Sequence, residues 1–194
     1  MRNFFKIFTA LFLLSVSSCG VLDQAAAYKR FIQCDFAIAD IRITEIGGVR
    51  ITLNTRPEDI NMFQMMALTQ SVMAGSLTAK SEITLRATNH SNAKAAIAGM
   101  DWVIMMKEQE YLTGSLDHTV EILPESSGDF KVKAKVDLLK ILNAGSLNTA
   151  LDFAFSNNRK EVLKQAGIMV KIRPYYKTGG AIQKYPGFIT VDYN

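Results

Sequence analysis

The strongest constraint on the fold is a strict alternation of apolar and charged residues near the middle of the chain. From Phe130 to Asp137 every second residue is apolar, and the residues between them are three lysines and an aspartate. Successive side chains of a β-strand point to opposite faces. The pattern therefore predicts a strand with one buried and one solvated face. The lysine face is expected to contact water, with an anionic lipid surface as the alternative partner.

Polar turns divide the surrounding stretch, from Leu77 to Asp137, into further strands. Ile83, Leu85 and Ala87 alternate with polar neighbours, and the strand is expected to end at Asn89–Asn92, because Asn and Ser favour turns. A second run is apolar at every position, which predicts a strand buried on both faces. The next strand is predicted from alternation, with Gly114 as a bend or bulge before it. These two segments are Trp102–Met106 and the set Leu116, His118, Val120 and Ile122.

Five short motifs of this stretch follow the order found in the late embryogenesis abundant type 2 family, also called the water-stress-and-hypersensitive-response domain. They are Asn89–Asn92, Asp101-Trp102, Thr113-Gly114, Leu123-Pro124 and Val136–Leu138. The chain resembles this family, except that the family usually has Asn-Pro in the first turn and this turn has no proline. The resemblance implies a mainly β fold, an immunoglobulin- or fibronectin-III-like β-sandwich with added α-helices. The resemblance does not imply an enzyme.

The N-terminus has the features of a secretory leader. Arg2 and Lys6 precede an apolar run, Ile7–Val16, that is shorter than the roughly 20 residues of a membrane-spanning helix and is typical of a signal peptide. The segment Val16–Cys19 resembles a bacterial lipobox, which implies cleavage before Cys19 and lipidation of that cysteine. The alternative is an ordinary signal peptide cleaved at nearly the same place.

These features predict three parts: a signal peptide over residues 1–18, a lipidated tether over residues 19–33, and a sandwich domain over residues 34–194. Each buried CH₂ of an acyl chain contributes about 0.8 kcal/mol, so several chains on Cys19 would form a firm membrane anchor. Because Gly20 rather than Asp follows the cysteine, the lipobox resemblance implies a cell-envelope protein of the outer membrane, on its periplasmic or its surface face.

A helix is predicted from Arg56 to Gly75. Pro57 suits the first helical position, and Gly75 suits the C-terminal cap. One face at three- and four-residue spacing is expected to pack on the sheet. A soft-metal site is a first alternative for its methionines, and a lining for an apolar ligand is a second. The residues on this face are Phe63, Met66, Ala67, Gln70, Met73 and Ala74, of which Phe63, Met66 and Met73 are the candidate ligand-binding residues.

The C-terminal third is predicted to alternate between helices and strands. Ser146 is the expected cap of a helix that ends before Ser156, and a shorter helix from Arg159 is expected to stop at Gly167. Ile168–Arg173 and Phe188–Tyr193 are the expected final strands.

Few residues of this chain favour catalysis or metal binding. Zinc needs three or four clustered ligands, and the two histidines, His90 and His118, are far apart in the sequence. His90 is expected in a solvated turn and His118 half-buried in a sheet. Cys34 is expected to be a buried apolar residue, and Asp101 a solvated carboxylate at a strand edge. The chain is therefore expected to be no enzyme and to use no cofactor or metal.

Charge and composition leave two principal hypotheses for function. Without the two basic residues of the leader, the chain has 20 basic and 18 acidic residues. This small net positive charge gives no argument for a nucleic-acid partner. The first hypothesis is a non-catalytic envelope lipoprotein whose sandwich mediates interaction or stress protection. The alternative is a carrier or sensor of a lipid or other apolar ligand held between the Met-rich helix and the sheet. The expected partners are the membrane, through the anchor, and a lipid or an envelope protein.

Overall fold

A computed structural model describes residues 19–143, 145–178 and 181–193. The predicted signal peptide lies outside this range. The helices are α1 (Cys19–Phe31), α2 (Met62–Met73), α3 (Leu138–Leu142), α4 (Leu147–Phe155) and α5 (Arg159–Gln165). The strands are β1 (Asp35–Ile46), β2 (Val49–Arg50), β3 (Thr78–Asn89), β4 (Ala95–Ile97), β5 (Gly99–Met106), β6 (Gln109–Leu116), β7 (Val120–Ile122), β8 (Ser126–Asp137), β9 (Ile168–Thr178), β10 (Ala181–Lys184) and β11 (Ile189–Val191).

Two antiparallel sheets form the body of the molecule. One has the order β2-β1-β3-β8, and the other has the order β10-β9-β5-β6 with β11 also paired to β9. A small sheet of β4 and β7 lies at one end. Distribution of successive strands between two antiparallel sheets is the arrangement of immunoglobulin and fibronectin-III sandwiches. The predicted fold class, a mainly β sandwich with added helices, is confirmed.

The predicted alternation from Phe130 to Asp137 is confirmed in β8. Phe130, Val132, Ala134 and Val136 are buried, and the lysines between them are exposed. β8 pairs with β3 without interruption from Thr78↔Asp137 to Asn89↔Ser126. The register keeps every apolar residue of both strands on the core side.

The second sheet corrects the interpretation of Gly114. This residue pairs directly with Trp102 in the β5–β6 ladder, and the register shift of that ladder lies elsewhere, between Ile104 and Met105. A Cβ atom at Gly114 would collide with the indole ring of Trp102. The glycine is required because the ring occupies the space that a Cβ atom would fill, as when an aromatic side chain covers a strand glycine.

The predicted strand through His118 is wrong. β6 ends at Leu116, β7 begins at Val120, and His118 is exposed in the bend between them. The chain changes partners here, because β6 pairs with β5 whereas β7 pairs with β4. Alternation continued across the break in the sequence, so it concealed the change of sheet.

The segment expected to be a tether is largely the helix α1, and its last turns belong to the core. Phe31 is fully buried, with its ring centroid 5.2 Å from that of Phe36 and 6.5 Å from that of Phe130. Tyr28 donates to the carbonyl of Pro174, and the Arg30 guanidinium donates to the carbonyl of Lys94. The folded domain therefore begins before Cys34, because apolar residues at the end of α1 pack against strands that are distant in sequence.

α2 begins later than predicted. Pro57–Asp59 forms a separate 3₁₀ turn, and the helix is capped by Asn61, whose side chain accepts from the backbone of Gln64 while Gln64 bonds back to Asn61. The predicted C-cap is confirmed: Gly75 has φ +79° and donates to Val72, and Ser76 donates to Ser71. These two bonds make a Schellman motif.

The predicted inner face of α2 is wrong. Leu68 is fully buried, with Met65 and Val72 packed beside it. Phe63, Met66 and Met73 lie on the opposite, solvent-exposed face. These three residues therefore do not lie between the helix and the sheet, where the ligand site was predicted.

The two ends of the sandwich carry different elements. At the first end, which we call the α1 pole, Asp35 pairs with Thr88 and Ser126 pairs with Asn89. At the second end, the helical pole, β1 ends at Ile46 and α3 follows β8 directly. α2 lies at the helical pole, since a Cβ on Gly47 would come within 2.5 Å of the Leu68 side chain. β1 has 12 residues, so the poles are about 40 Å apart at roughly 3.3 Å per residue.

Helices α3, α4 and α5 close the helical pole. Ser146 caps α4 as predicted, accepting from the backbone of Thr149, and Gly167 follows α5 with φ +70°. Arg159 joins these helices to the sheet by donating to the carbonyls of Ile41, Ala154 and Ser156. Burial lowers the pKa of this guanidinium.

A narrow apolar pocket of about 30 Å³ lies between the two sheets, among Ile41, Ile83, Ile104, Phe153 and Val170. Across the described residues, no helix is both long enough and apolar enough to span a bilayer.

Candidate functional site

The outer face of α2 is an apolar surface without a partner in the described chain. Met62 and Met73 are each 83% exposed, Phe63 is 82% exposed, and Met66 is 49% exposed. At 100° per residue, Met62, Met66, Thr69 and Met73 form one stripe along the helix, with Phe63 beside it. The spacing of four, three and four residues is that of a helix seam that packs along another helix. We call the four exposed apolar residues the α2 face.

The α2 face is large for a surface patch. Four side chains of this size expose on the order of 500 Å² together, near the top of the range of about 300 to 600 Å² for the largest patch on a typical monomer. Scattered apolar residues are ordinary on protein surfaces. By contrast, a contiguous apolar stripe along three helical turns is typical of an interaction surface.

The charged residues next to the helix in the sequence lie before its N-terminus. The helix Met62–Met73 has no charged residue. Glu58 and Asp59 are exposed in the 3₁₀ turn before it, where the Asp59 carboxylate accepts from the backbone of Arg56 at 2.8 Å. The helix therefore has no charge of its own, and the turn before it presents Arg56 beside Glu58 and Asp59, rather than the several lysines and arginines by which interfacial helices bind anionic membranes.

A groove with an apolar floor lies at the α1 pole. Its volume is about 470 Å³, and it lies between α1, β4, β7 and the end of β9. Its floor is apolar and made mostly of small side chains, and charged residues stand at its rim. The floor residues are Ala27, Ala96, Ile97 and Ala98; the rim includes Asp23, Lys94, Glu121 and Lys177.

Contacts of α1 hold one wall of this groove in place. The rings of Tyr28 and Tyr176 have centroids 4.6 Å apart, and Arg30 is bonded to the carbonyl of Lys94 at 2.8 Å. The Lys94 ammonium lies 2.9 Å from the Glu121 carboxylate. The groove is thus a preformed feature of the packed domain.

Asp101 is not the solvated edge carboxylate that the sequence suggested. Its Oδ2 lies 3.0 Å from Arg173 and 2.7 Å from Lys184, and the Arg173 guanidinium lies over the ring of Phe188. Nearby, the Tyr175 hydroxyl donates to Asp117 at 2.8 Å. Burial and then this bond raise the pKa of Tyr175 to about 12. The cluster ties β5, β9 and β10 together, and its charges are already paired.

Two motif residues of the sequence analysis have structural roles. The Asn89 side chain is buried, donates to the carbonyls of Ala93 and Leu123, and accepts from the backbone of Ser91. It therefore fastens the turn after β3 to the loop before β8. Asp137 caps α3 by accepting from Leu139, and it also accepts from Leu77.

The remaining candidate residues do not assemble into a reactive centre. Cys34 is buried as predicted, and burial raises the pKa of its thiol to about 11. His90 is exposed in its turn as predicted and lies 2.8 Å from Asp35. Within residues 19–143, 145–178 and 181–193, no three His, Cys, Asp or Glu side chains are placed to hold a metal ion. The expectations of no enzymatic activity and no cofactor remain predictions.

Sequence reasoning missed both surfaces described above. The α2 face had a signal, since methionines 62, 66 and 73 recur with helical spacing, but the pattern was assigned to the core. The groove is assembled from four elements that are distant in sequence. No local pattern marks it, apart from the small residues of Ala95–Ala98.

Comparisons with known proteins provide no family. No protein-family model matches the chain, and no curated protein matches it. The chain is similar to a protein of known structure from Archaeoglobus fulgidus, with 14% identity, 58% of this chain and 82% of that chain covered, and a TM-score of 0.32. It is also similar to an ApaA-like protein from Bordetella pertussis, with 12% identity, 82% and 94% covered, and a TM-score of 0.30. Neither likeness carries an argument about function, and the late embryogenesis abundant resemblance stays a prediction.

Proposed function

We propose that this protein is a lipid-anchored, non-catalytic envelope protein that binds an apolar helix of another envelope protein through the α2 face. The observation that carries the proposal is the exposed stripe Met62, Met66 and Met73 along one side of α2, with Phe63 beside it. Methionine side chains adapt to varied apolar partners, and helix-in-groove or helix-on-helix recognition uses anchors at this spacing. Stress protection, which the family resemblance implies, is one setting in which such binding would act.

A protein partner fits the α2 face better than the anchoring membrane does. The anchor at Cys19 would hold the α1 pole near the bilayer, because α1 is packed on the domain from Ala27 to Phe31. The α2 face lies at the other pole, about 40 Å away along β1. Glu58 and Asp59 outnumber Arg56 at that end of the helix, which favours a partner helix with a basic residue there.

The anchor is tested at Cys19. Cys19→Ala should leave the leader uncleaved by lipoprotein signal peptidase and should abolish incorporation of radiolabelled palmitate. Cys34→Ala is the matched control and should retain both processing and label. A Cys19→Ala protein that still carries covalently bound palmitate after extraction in denaturant would contradict the lipidation.

The partner is tested by photo-crosslinking in cells. A photoreactive amino acid at Met66 or Met73 should give an adduct with a second protein, whereas the same residue at exposed Lys133 should not. Introduction of Asp at Met66 should abolish the Met73 adduct and leave the unfolding midpoint of the domain unchanged, because the position is exposed. Mass spectrometry of the adduct identifies the crosslinked partner protein. An adduct with lipid, with a second copy of this chain, or with nothing would contradict the proposal.

A further inference from the structure

The groove at the α1 pole has the shape and lining of a ligand site. Its volume of about 470 Å³ falls within the range of about 300 to 1,000 Å³ that is usual for small-molecule pockets. Three of its four floor residues are alanines at 27, 96 and 98. Methyl side chains leave unfilled the space that larger core residues would occupy, so the floor is a shallow apolar channel.

The rim of the groove carries both signs of charge. Lys94 is paired with Glu121. Lys177 and Asp23 line the groove as well, and neither forms a salt bridge with any residue that the structure describes. A ligand with an apolar body and a polar or zwitterionic head would bury the body on the alanine floor and leave the head among these charges.

The position of the groove selects a membrane lipid as the source of such a ligand. One wall is α1, and Asp23 on that wall is one helical turn from Cys19, the predicted point of attachment. We propose that this groove binds one acyl chain of a separate lipid molecule, a fatty acid or a phospholipid, rather than a chain of the protein's own anchor. The free energy of binding an alkyl chain grows in proportion to the apolar area that the floor removes from water.

This inference is independent of the α2 face, since the two surfaces lie at opposite poles and share no residue. It also differs from the lipid site suggested by the sequence, which placed the ligand against Met66 and Met73. Failure of the α2 crosslinks would not affect the groove, and failure of the groove test would not affect the α2 crosslinks.

The test uses the full chain expressed in cells that are supplied with a diazirine-bearing palmitate. After illumination, labelled peptides of the purified protein are mapped by mass spectrometry. The expected label lies on the α1 peptide containing Ala27 and on the peptide containing Ala96–Ala98. Label confined to α2, or absent from both groove peptides, would overturn the proposal.

Two variants that fill the groove sharpen the test. Ala96→Trp blocks the floor, and Thr119→Trp blocks the exposed rim with less risk to folding. Each should lower groove labelling about tenfold, the change expected when the contacts of a few methylenes are lost. Ala67→Trp, at an exposed position of α2, is the control and should leave the groove label unchanged. Thermal unfolding is measured for each variant, and equal labelling of folded Thr119→Trp and the parent would overturn the proposal.

Cys19→Ala separates the two sources of the acyl chain. A separate lipid requires that the groove label persist in this variant, because the acceptor of the covalent anchor is gone. Loss of the label in folded Cys19→Ala protein would assign the occupant to the protein's own anchor and would overturn the proposal as stated.

Discussion

Gly114 shows how one side chain decides a strand pairing. The Trp102 indole lies over its backbone, so a methyl group at Gly114 would meet the ring inside van der Waals contact. We predict that Gly114→Ala destabilises the domain by about 1 to 3 kcal/mol, the usual cost of overpacking. The measurement is the urea midpoint of unfolding.

Gly145→Ala is the control for this substitution. No heavy atom lies within 4 Å of a Cβ at Gly145, so its effect should stay within about 0.5 kcal/mol. Replacing Trp102 by Leu should reduce the cost of Gly114→Ala, because the two residues are in contact. If the stability losses of Gly114→Ala and Trp102→Leu were additive, the Trp102 ring would not be the reason that position 114 requires glycine.

Cys34 is a second residue whose environment determines its chemistry. Its side chain is buried, and its pKa is raised to about 11 by burial first and by Asp35 second. At pH 7 only about one thiol in ten thousand would be the reactive thiolate, even if it were accessible. In a Cys19→Ser protein, we predict no maleimide labelling of the native state and full labelling in denaturant. Rapid native labelling would contradict the position of Cys34 in the core.

At the scale of the element, Asp137 joins a strand, a helix and a loop. Burial by itself would raise the pKa of its carboxyl, but bonds from the Leu77 backbone, the Ser76 side chain and the Leu139 backbone lower the pKa below its usual value. The folded state therefore favours the ionised form. This contribution to stability is complete above the unfolded pKa of about 4 and is lost as the pH falls through the lower, folded pKa.

The substitution Asp137→Asn tests this linkage. It keeps an acceptor for the cap but removes the charge, and we predict a loss of about 1 kcal/mol in unfolding free energy at pH 7. The difference from the parent should be constant between pH 7 and about pH 5 and should shrink below about pH 4. Asp152→Asn, at an exposed position of α4, is the control. A difference that grows on acidification would reverse the assigned sign.

At the scale of the whole molecule, α1 makes the segment before Cys34 part of the fold. Phe31 contacts aromatic residues of both β1 and β8, so we predict that Phe31→Ala costs about 3 to 5 kcal/mol. The exposed neighbour Gln33 provides the control, and Gln33→Ala should have almost no effect. Chemical denaturation of the chain beginning at Cys19 measures both.

Truncation extends the same prediction. A chain beginning at Cys34 lacks all of α1 and should unfold at a lower denaturant concentration than the Phe31→Ala protein. If the shortened chain kept the stability of the parent, α1 would be a tether, as the sequence first suggested.

The sequence by itself determined the local elements where period and caps agree. The alternation of β8, the Asn89 turn, the Ser146 cap and the glycine stops after α2 and α5 all follow from short-range geometry. The lipobox ending at Cys19 is likewise a local pattern, and the lipidation that it implies remains a prediction. For the candidate sites, the sequence identified the methionines of α2 but neither their orientation nor the groove.

Tertiary structure alone decided which face of each element is buried. α2 has apolar residues on two faces, Met62/Met66/Met73 and Met65/Leu68/Val72, so helical period cannot choose between them. The choice depends on what packs against the helix, here the Gly47 turn and its neighbours. The predicted strand through His118 is wrong for the same reason: the chain passes from one sheet to another beside this residue. Burial is a property of contacts between distant segments, and local patterns do not record those contacts.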